Sequence, residues 1–124
     1  MNQSELKNRT KKFAIEVFKL CNELESQSNY KSYLNQLIRC SSSVGANYRA
    51  ACRAKSTPDF INKLKIVEEE IDESAFFLEL INELTNIEKS KELLKEANEI
   101  TAIIVSSIKT VKSKQANLNR KSKI

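Results

Sequence analysis

Apolar residues recur along this chain at steps of three and four residues in four long stretches. This spacing places them on one face of an α-helix. The pattern predicts helices over about 4–24, 30–54, 58–84 and 89–111. Polar segments such as ESQSN at 25–29 separate the stretches. Because short connections make consecutive helices antiparallel, we predict an all-α, up-down-up-down four-helix bundle over residues 1–111.

The predicted second helix has a face of small residues in its middle. These residues are Ser41, Ser42, Ser43, Gly45 and Ala46. Glycine inside a helix costs about 1 kcal/mol relative to alanine. We therefore expect another helix to pack closely against this face, because tight packing would compensate that cost.

The third helix begins at a clear signal, Lys55-Ser56-Thr57-Pro58-Asp59. Thr57 can cap the helix, and proline is favoured at the first helical position. Two apolar stripes follow, a heptad from Phe60 to Ile81 and a second stripe of Phe77, Leu80 and Leu84. We therefore predict that the third helix is buried on two sides and is the central helix.

Composition supports long helices in a soluble protein. The 124 residues include one Gly and one Pro, whereas folds rich in turns need many of both. The longest apolar runs, AFFL at 75–78 and AIIV at 102–105, have four residues, far short of the roughly 20 residues of a membrane span. The first twelve residues contain no apolar core of a signal peptide. We expect a cytoplasmic protein without a membrane partner.

The chain offers little material for catalysis. It contains no His and no Gly-rich phosphate loop. Its three Cys have no metal-ligand spacing, and we interpret them as reduced and mostly buried. Bundle proteins that bind two metal ions use Glu-x-x-His pairs, which this chain cannot supply. We predict a protein that is not an enzyme and holds no cofactor or metal; a metal or small-molecule enzyme is the least favoured hypothesis.

Charge is sorted along the chain. Residues 26–67 carry seven Lys or Arg and one acid, whereas residues 68–88 carry eight acids and no base. The last sixteen residues carry six bases and no acid, and we interpret 112–124 as a basic flexible tail. With a net charge of +5, the surplus basic surface indicates an acidic polymer as partner, most plausibly nucleic acid.

Two roles are open for the basic residues of the second helix. If the hairpin closes around Pro58, Arg49 lies opposite Glu69 or Glu70, and an ion pair there would set the register of the two helices. The predicted structural polar residues are Arg49, Asn47, Glu69, Glu70 and Glu73. Asn47 is expected to hydrogen-bond to a neighbouring helix or a second subunit. The candidates for phosphate contact are Arg39, Arg53, Lys55, Lys109, Lys112 and Lys114.

One ordered set of residues links the chain to a known family. The set is Leu37-Ile38-Arg39, Ser41, Ser43, Ala46-Asn47, Arg53, Ser56, Asp59-Phe60 and Glu70 with Glu73. In the order and spacing of these residues, the chain resembles the bacterial four-helix-bundle proteins called 23S rRNA-intervening sequence proteins. This family includes the accessory protein of diversity-generating retroelements. The resemblance covers about residues 13–111.

The resemblance implies a bundle that assembles into a ring, often a homopentamer. In the retroelement members, a basic surface engages nucleic acid and a reverse transcriptase. The two stripes of the third helix and the small face of the second fit a ring, and they fit an isologous dimer as well. We expect a homo-oligomer, with the pentamer favoured over the dimer.

These observations lead to one main functional hypothesis and one alternative. The main hypothesis is a non-enzymatic homo-oligomer that binds structured RNA, or RNA and DNA, through its basic surface. The alternative is a protein-interaction scaffold that docks an acidic partner, such as a reverse transcriptase, and has no affinity of its own for nucleic acid. Binding of RNA by the purified protein at physiological salt would separate the two hypotheses.

Overall fold

The computed structural model describes residues 1–25 and 28–122, and this part of the chain forms four α-helices and a short 3₁₀ turn. The elements are α1 Gln3–Leu24, the 3₁₀ turn Ser28–Tyr30, α2 Lys31–Cys52, α3 Thr57–Thr85 and α4 Glu88–Ser122. The predicted all-α fold of four helices is confirmed. None of the described helices is long and apolar enough to cross a membrane.

Successive contacts run in opposite directions along neighbouring helices, so the bundle is antiparallel. Between α1 and α2, Thr10 contacts Gly45 and Cys21 contacts Leu34. Between α2 and α3, Tyr33 contacts Phe77 and Cys40 contacts Ser74, and between α3 and α4 Asn82 contacts Ser90. Between α1 and α4, Arg9 contacts Glu96 and Glu16 contacts Lys89. Helix α1 therefore packs between α2 and α4 and closes the bundle.

The core is built from the apolar faces that the sequence predicted. Val17, Leu37, Ile71 and Ile100, one from each helix, are fully buried. The second apolar stripe of α3 behaves differently. Leu84 is exposed, and Phe77 and Leu80 are only half-buried. The prediction that this stripe is buried is therefore wrong for the single chain.

Local sequence fixes both ends of α3. The Ser56 hydroxyl accepts a hydrogen bond of 3.2 Å from the backbone N–H of Asp59, so Ser56 rather than Thr57 is the N-cap. Pro58 lies in the first turn, as predicted. At the other end, Asn86 adopts the left-handed conformation with φ 62°, which ends the helix.

Helix α4 is longer than predicted. The sequence indicated a helix that ends near 111 and a flexible tail over 112–124, but α4 continues to Ser122. Residues 112–122 contain no Gly or Pro and include Lys, Gln, Ala, Leu and Arg, which are good helix formers. Their side chains are nearly all exposed, so no apolar periodicity marks this part of the helix. The last two residues of the predicted tail lie outside the described part.

Removal of residues 115–124 is expected to leave the thermal stability unchanged. The side chains of 116–122 are exposed, and exposed positions contribute within about 0.5 kcal/mol. Circular dichroism melts of the full and shortened chains should therefore differ by less than about 3 °C in midpoint. A larger drop would show that this end of α4 packs on the bundle.

An ion-pair cluster joins α1 to α4. The Arg9 guanidinium donates two hydrogen bonds of 2.7 Å to the two carboxylate oxygens of Glu96, and a third of 2.7 Å to Glu99. The Arg9 side chain is about three-quarters buried, with a relative exposure of 24%. The hydrogen bond from Arg9 lowers the pKa of the Glu96 carboxyl below its ordinary value. Sequence reasoning did not single out Arg9.

Replacement of Arg9 by alanine is expected to cost about 1–2 kcal/mol of unfolding free energy at pH 7, because it removes a two-pronged, charge-assisted contact. The pKa of Glu96 is lower in the folded state than in the unfolded state. The stability that the Arg9–Glu96 pair contributes is therefore fully present above the unfolded pKa and is lost as the pH falls through the folded pKa. Urea unfolding should therefore show a smaller difference in unfolding free energy between the Arg9 variant and the unchanged protein at acid pH than at pH 7. The control Lys12→Ala removes an exposed base nearby and should have little effect at either pH.

Candidate nucleic-acid interface

The structure assigns the predicted α2–α3 ion pair to Arg39 and not to Arg49. Arg39, predicted to contact phosphate, lies 2.6 Å from a carboxylate oxygen of Glu73 and 3.6 Å from one of Glu70. Arg49, predicted to pair with Glu69 or Glu70, has no carboxylate within 4 Å among the described residues. Arg39 is therefore the residue that joins α2 to α3, and Arg49 is available for another contact.

Helical geometry explains why Arg39 and not Arg49 pairs with α3. Arg49 follows Arg39 by ten residues, and at 3.6 residues per turn this rotates its side chain by about 80° around α2. Arg39 consequently faces the α3 side, whereas Arg49 lies beside α1 in a cleft that Thr10 also lines. The prediction considered the position along the hairpin and not the rotation around the helix.

The ion pair at Arg39 aligns two helices without a strong electrostatic gain. The Arg39 side chain is half exposed, and the Glu70 oxygen that faces it makes no hydrogen bond within the described structure. Burial raises the pKa of the Glu70 carboxyl, and the charge of Arg39 opposes this shift only in part. We conclude that the pair fixes register rather than adding much stability.

The mid-helix polar residues of α2 bond within their own helix. Asn47 donates from its amide to the carbonyl of Ser43 at 2.9 Å, and the Ser41 hydroxyl donates to the carbonyl of Ile38 at 3.3 Å. The expected bond from Asn47 to a neighbouring helix is not formed among the described residues. The carbonyl one turn earlier is the nearest acceptor for a short side chain in a helix, and both side chains bond to it in place of a neighbouring helix.

A basic groove runs between α1 and α2. Lys7 and Lys11 of α1 and Arg49 of α2 line a cleft of about 500 Å³, and a shallower depression continues it from Arg49 to Arg53. We call the surface formed by Lys7, Lys11, Arg49 and Arg53 the basic groove. Lys7 and Lys11 are four residues apart on α1 and therefore share one helix face. Arg53, the C-cap residue of α2, lines the same depression as Arg49.

The small face of α2 forms the floor of this groove. A Cβ atom at Gly45 would lie 3.5 Å from Thr10 Oγ1 and 3.7 Å from the Thr10 backbone, so the two helices pass very close to each other. Ser42 and Ala46 flank this contact, and their short side chains leave the space between the basic residues open. The predicted close packing at Gly45 is confirmed, and it positions the two rims of the groove.

The positive charge of the groove is not neutralised locally. Within residues 1–25 and 28–122, no carboxylate lies within 4 Å of the charged atoms of Lys7, Lys11, Arg49 or Arg53. Three of the four residues are exposed, and Lys7 is half-buried. Four neighbouring cations without carboxylates produce a field that attracts anions.

Other predicted bases lie near the same end of the bundle. Lys55 lines a depression together with Gln3 of α1 and Val111 of α4, so the start of α1, the end of α2 and this part of α4 meet here. The neighbouring α4 bases Lys109, Lys112 and Lys114 are all exposed. Of the six predicted phosphate contacts, the structure therefore brings five to one end and places Arg39 elsewhere. Sequence reasoning missed Lys7 and Lys11, although their four-residue spacing was a usable signal.

The described residues offer no evident site for metal or thiol chemistry. No group of three or more His, Cys, Asp or Glu side chains among them is placed to hold a metal ion. All three cysteines are free; Cys21 and Cys40 are buried, and Cys52 is half-buried. Burial raises the pKa of the Cys21 thiol to about 11 and also raises that of Cys40, so both stay protonated at neutral pH and are poor nucleophiles.

Comparison with known proteins identifies the family. Residues 2–106 match the family model described as 23S rRNA-intervening sequence protein. A crystal structure of a protein of unknown function from the S23 ribosomal protein family of Bacteroides thetaiotaomicron VPI-5482 is similar, with a TM-score of 0.78 and 32% identity over 84% of this chain and 98% of that one. No curated protein matches. The family match and the shared helical fold together show that the chain belongs to the 23S rRNA-intervening sequence protein family.

Proposed function

We propose that this protein is a non-enzymatic, self-associating helical bundle that binds nucleic acid through the basic groove. One observation carries the proposal: Lys7, Lys11 and Arg49 line one cleft, Arg53 lines the depression that continues it, and none of the four has a carboxylate partner among the described residues. Other bases of the chain, such as Arg9 and Arg39, are taken up by ion pairs between helices.

Phosphate is the chemical group that such a groove fits. Lysine and arginine that contact phosphates release the counterions condensed on a nucleic acid, and this release provides most of the sequence-independent affinity. The two arginines add planar guanidinium groups, which can bind phosphate oxygens in pairs. The open floor of small residues at Ser42 and Ala46 lets a backbone approach both rims.

The end of α4 extends the basic surface beyond the part of the chain that matches the family. The family match ends at residue 106, and α4 continues to Ser122. Lys109, Lys112 and Lys114 lie on this continuation. A ligand long enough to pass from the groove to α4 would gain these contacts as well.

The surroundings of the groove favour base-paired over single-stranded ligands. Proteins that bind single strands stack the bases on exposed aromatic rings. None of the described residues that line the basic groove is aromatic, and the nearby rings of Tyr48 and Phe13 are 5% and 1% exposed. The exposed ring of Phe18 lies outside the groove, in the adjoining depression. We therefore propose folded RNA or duplex DNA as the ligand.

Fluorescence anisotropy of the purified full chain tests this proposal. The probes are an RNA hairpin, a single-stranded RNA and a DNA duplex of equal length, each at about 50 and 200 mM salt. We expect binding of the hairpin and duplex that weakens strongly at higher salt, and weaker binding of the single strand. Failure of all three probes to bind at the lower salt would refute the proposal.

A second candidate function rests on apolar residues beside the groove. Phe18 and Ile15 of α1 are 51% and 46% exposed, and a phosphate backbone makes no use of such side chains. They favour a protein partner, and the positive groove would select an acidic one. Under this alternative the protein has no affinity of its own for nucleic acid, and the anisotropy measurement separates the two functions.

A further inference from the structure

The last part of α4 runs past the end of the bundle. Val111 of α4 shares a depression with Phe60, which lies close to the start of α3 at Thr57. Because α3 and α4 are antiparallel, Thr57 lies level with about residue 114 of α4. From that level the helix continues for about 12 Å at 1.5 Å per residue, with no other helix beside it.

The charge of this part of α4 differs from that of the rest of the helix. We call residues 109–122 the basic arm; it follows Ile108, the last buried residue of α4. Residues 88–99 at the start of α4 carry four acids and three bases, as is typical of a solvated helix with pairs of opposite charge. The basic arm carries no acid and five bases, which are Lys109, Lys112, Lys114, Arg120 and Lys121.

The positive charge of the basic arm is available for a ligand. In the part of the chain that the structure describes, no carboxylate lies within 4 Å of the charged atoms of its five bases. All five bases are exposed, and only Val111 and Gln115 of the basic arm are half-buried. The basic arm is therefore a helix with a free surface that attracts anions.

One face of the basic arm combines short side chains with side chains that form paired hydrogen bonds. Ser113, Ala116, Asn117 and Arg120 follow one another at helical steps, so they share one side of the helix, and all four are exposed. Asn117 lies nine residues after the buried Ile108, which is half a turn around the helix. This face is therefore directed away from the core of the bundle.

Bases flank this face on both sides. Lys112 and Lys114 are the sequence neighbours of Ser113, so they lie about 100° from it in opposite directions around the helix. Lys121 follows Arg120 and lies on the same side as Lys114. The face thus has hydrogen-bonding groups at its centre and positive charge along both edges.

The major groove of B-DNA matches this arrangement. The groove is about 12 Å wide and admits one α-helix, and phosphates border it on both sides. Inside it, asparagine binds adenine and arginine binds guanine through two hydrogen bonds each. Asn117 and Arg120 supply these two groups, and the short side chains of Ser113 and Ala116 let the helix come close to the base pairs.

We propose that the basic arm binds in the major groove of duplex DNA. This inference rests on the proposed function and deepens it, because it selects duplex DNA over folded RNA. The major groove of an RNA helix is deep and narrow, and side chains do not enter it. Folded RNA would therefore contact the basic groove alone, whereas duplex DNA would gain the basic arm as well.

One duplex can contact the basic arm and the end of the bundle together. Lys55 shares a depression with Val111, so the basic arm leaves the bundle at the end where Lys55 and Arg53 lie. The basic arm continues the direction of α4. A duplex that holds the helix in its major groove would thus lie across this end, with its phosphates near Arg53 and Lys55.

Two substitutions of one residue separate the helical form of the basic arm from its charge. Leu118 is 66% exposed, lies past the end of the bundle and carries no charge. Leu118→Pro removes a backbone hydrogen bond and clashes with the carbonyl four residues earlier, so it ends the helix ahead of Arg120. Leu118→Ala keeps the helix and is the matched control. Circular dichroism melts of both variants should match that of the unchanged protein.

Fluorescence anisotropy then compares a DNA duplex and an RNA duplex of the same mixed sequence and length, at about 50 mM salt. The unchanged protein and Leu118→Ala should bind the DNA at least about tenfold more tightly than the RNA, since each phosphate contact is worth roughly that factor at this salt concentration. Leu118→Pro retains every charge but should bind the two duplexes with equal affinity.

The outcomes separate this inference from the proposed function. Equal affinity of the unchanged protein for both duplexes would overturn the inference and leave binding by the basic groove in place. A preference for DNA that survives in Leu118→Pro, or one that is lost in Leu118→Ala, would also overturn it, because the helical form would then not be the cause. Failure of the unchanged protein to bind either duplex would refute the proposed function and this inference together.

Discussion

Replacement of Lys11, Arg49 and Arg53 together by glutamine is expected to weaken duplex DNA binding by about three orders of magnitude at roughly 50 mM salt. Each phosphate contact makes the association constant fall as about the 0.9 power of the salt concentration. At roughly 50 mM salt, the loss of one contact should therefore lower the affinity roughly fifteenfold. The three residues are exposed and have no carboxylate within 4 Å in the described structure, and their removal breaks no internal ion pair.

A matched variant distinguishes the effect of the basic groove on affinity from the effect of the protein's net charge. Lys31, Lys65 and Lys95 are exposed, have no carboxylate within 4 Å in the described structure and do not line the basic groove, so their replacement by glutamine removes the same three charges from other parts of the surface. Exposed charges farther than about 10 Å from a ligand are largely screened, so this control should lose less than about tenfold in affinity. Equal losses in both variants, measured by anisotropy, would show that overall charge and not the basic groove attracts the ligand.

Replacement of Gly45 by leucine is expected to lower the free energy of unfolding by about 1–3 kcal/mol, because the added side chain would force α1 away from α2. The nearest atoms to a Cβ at this position belong to Thr10, at 3.5–3.7 Å. A single methyl group fits at these distances, but atoms beyond it would meet the α1 backbone. Displacement of α1 would also open the floor of the basic groove.

Alanine at the same position is the control for this prediction. Gly45→Ala keeps ordinary contacts with Thr10 and replaces a poor helix former by the best one, so it should raise stability by up to about 1 kcal/mol. Urea unfolding of the two variants should therefore give changes of opposite sign. A leucine variant as stable as the unchanged protein would show that the α1–α2 contact is looser than the structure indicates.

The sequence predicted the helices well because burial produced their periodicity. Val17, Leu37 and Ile71 lie on the faces that the three- and four-residue spacing indicated, and all are buried. The same reasoning failed at the end of α4. Residues 112–122 form a helix whose side chains remain in solvent, so no apolar pattern marks it and only helix propensity could have done so.

The candidate site was predicted only in part. Arg53 and Lys55 do lie at the basic end, but Arg39 and not Arg49 forms the ion pair with α3. Their positions along the chain gave no information about which side of α2 faces α1 and which faces α3. The spacing of Lys7 and Lys11 marked one face of α1, but only the packing of α2 against α1 brings Arg49 beside them.

The second stripe of α3 was predicted to be buried for a related reason. Phe77 and Leu84 have the spacing of core residues, and docking surfaces have the same spacing. A sequence pattern cannot distinguish a face that packs inside one chain from a face that packs against another copy.

The salt dependence of binding tests the central claim most directly. Plots of the logarithm of Kd for duplex DNA against the logarithm of salt concentration, for the unchanged protein and for the Lys11, Arg49 and Arg53 glutamine variant, give the number of phosphates that each contacts. The account predicts that the slope falls by about 2.7 in the variant, or about 0.9 for each lost contact. Identical slopes for the two proteins would contradict it, because they would place the phosphate contacts outside the basic groove.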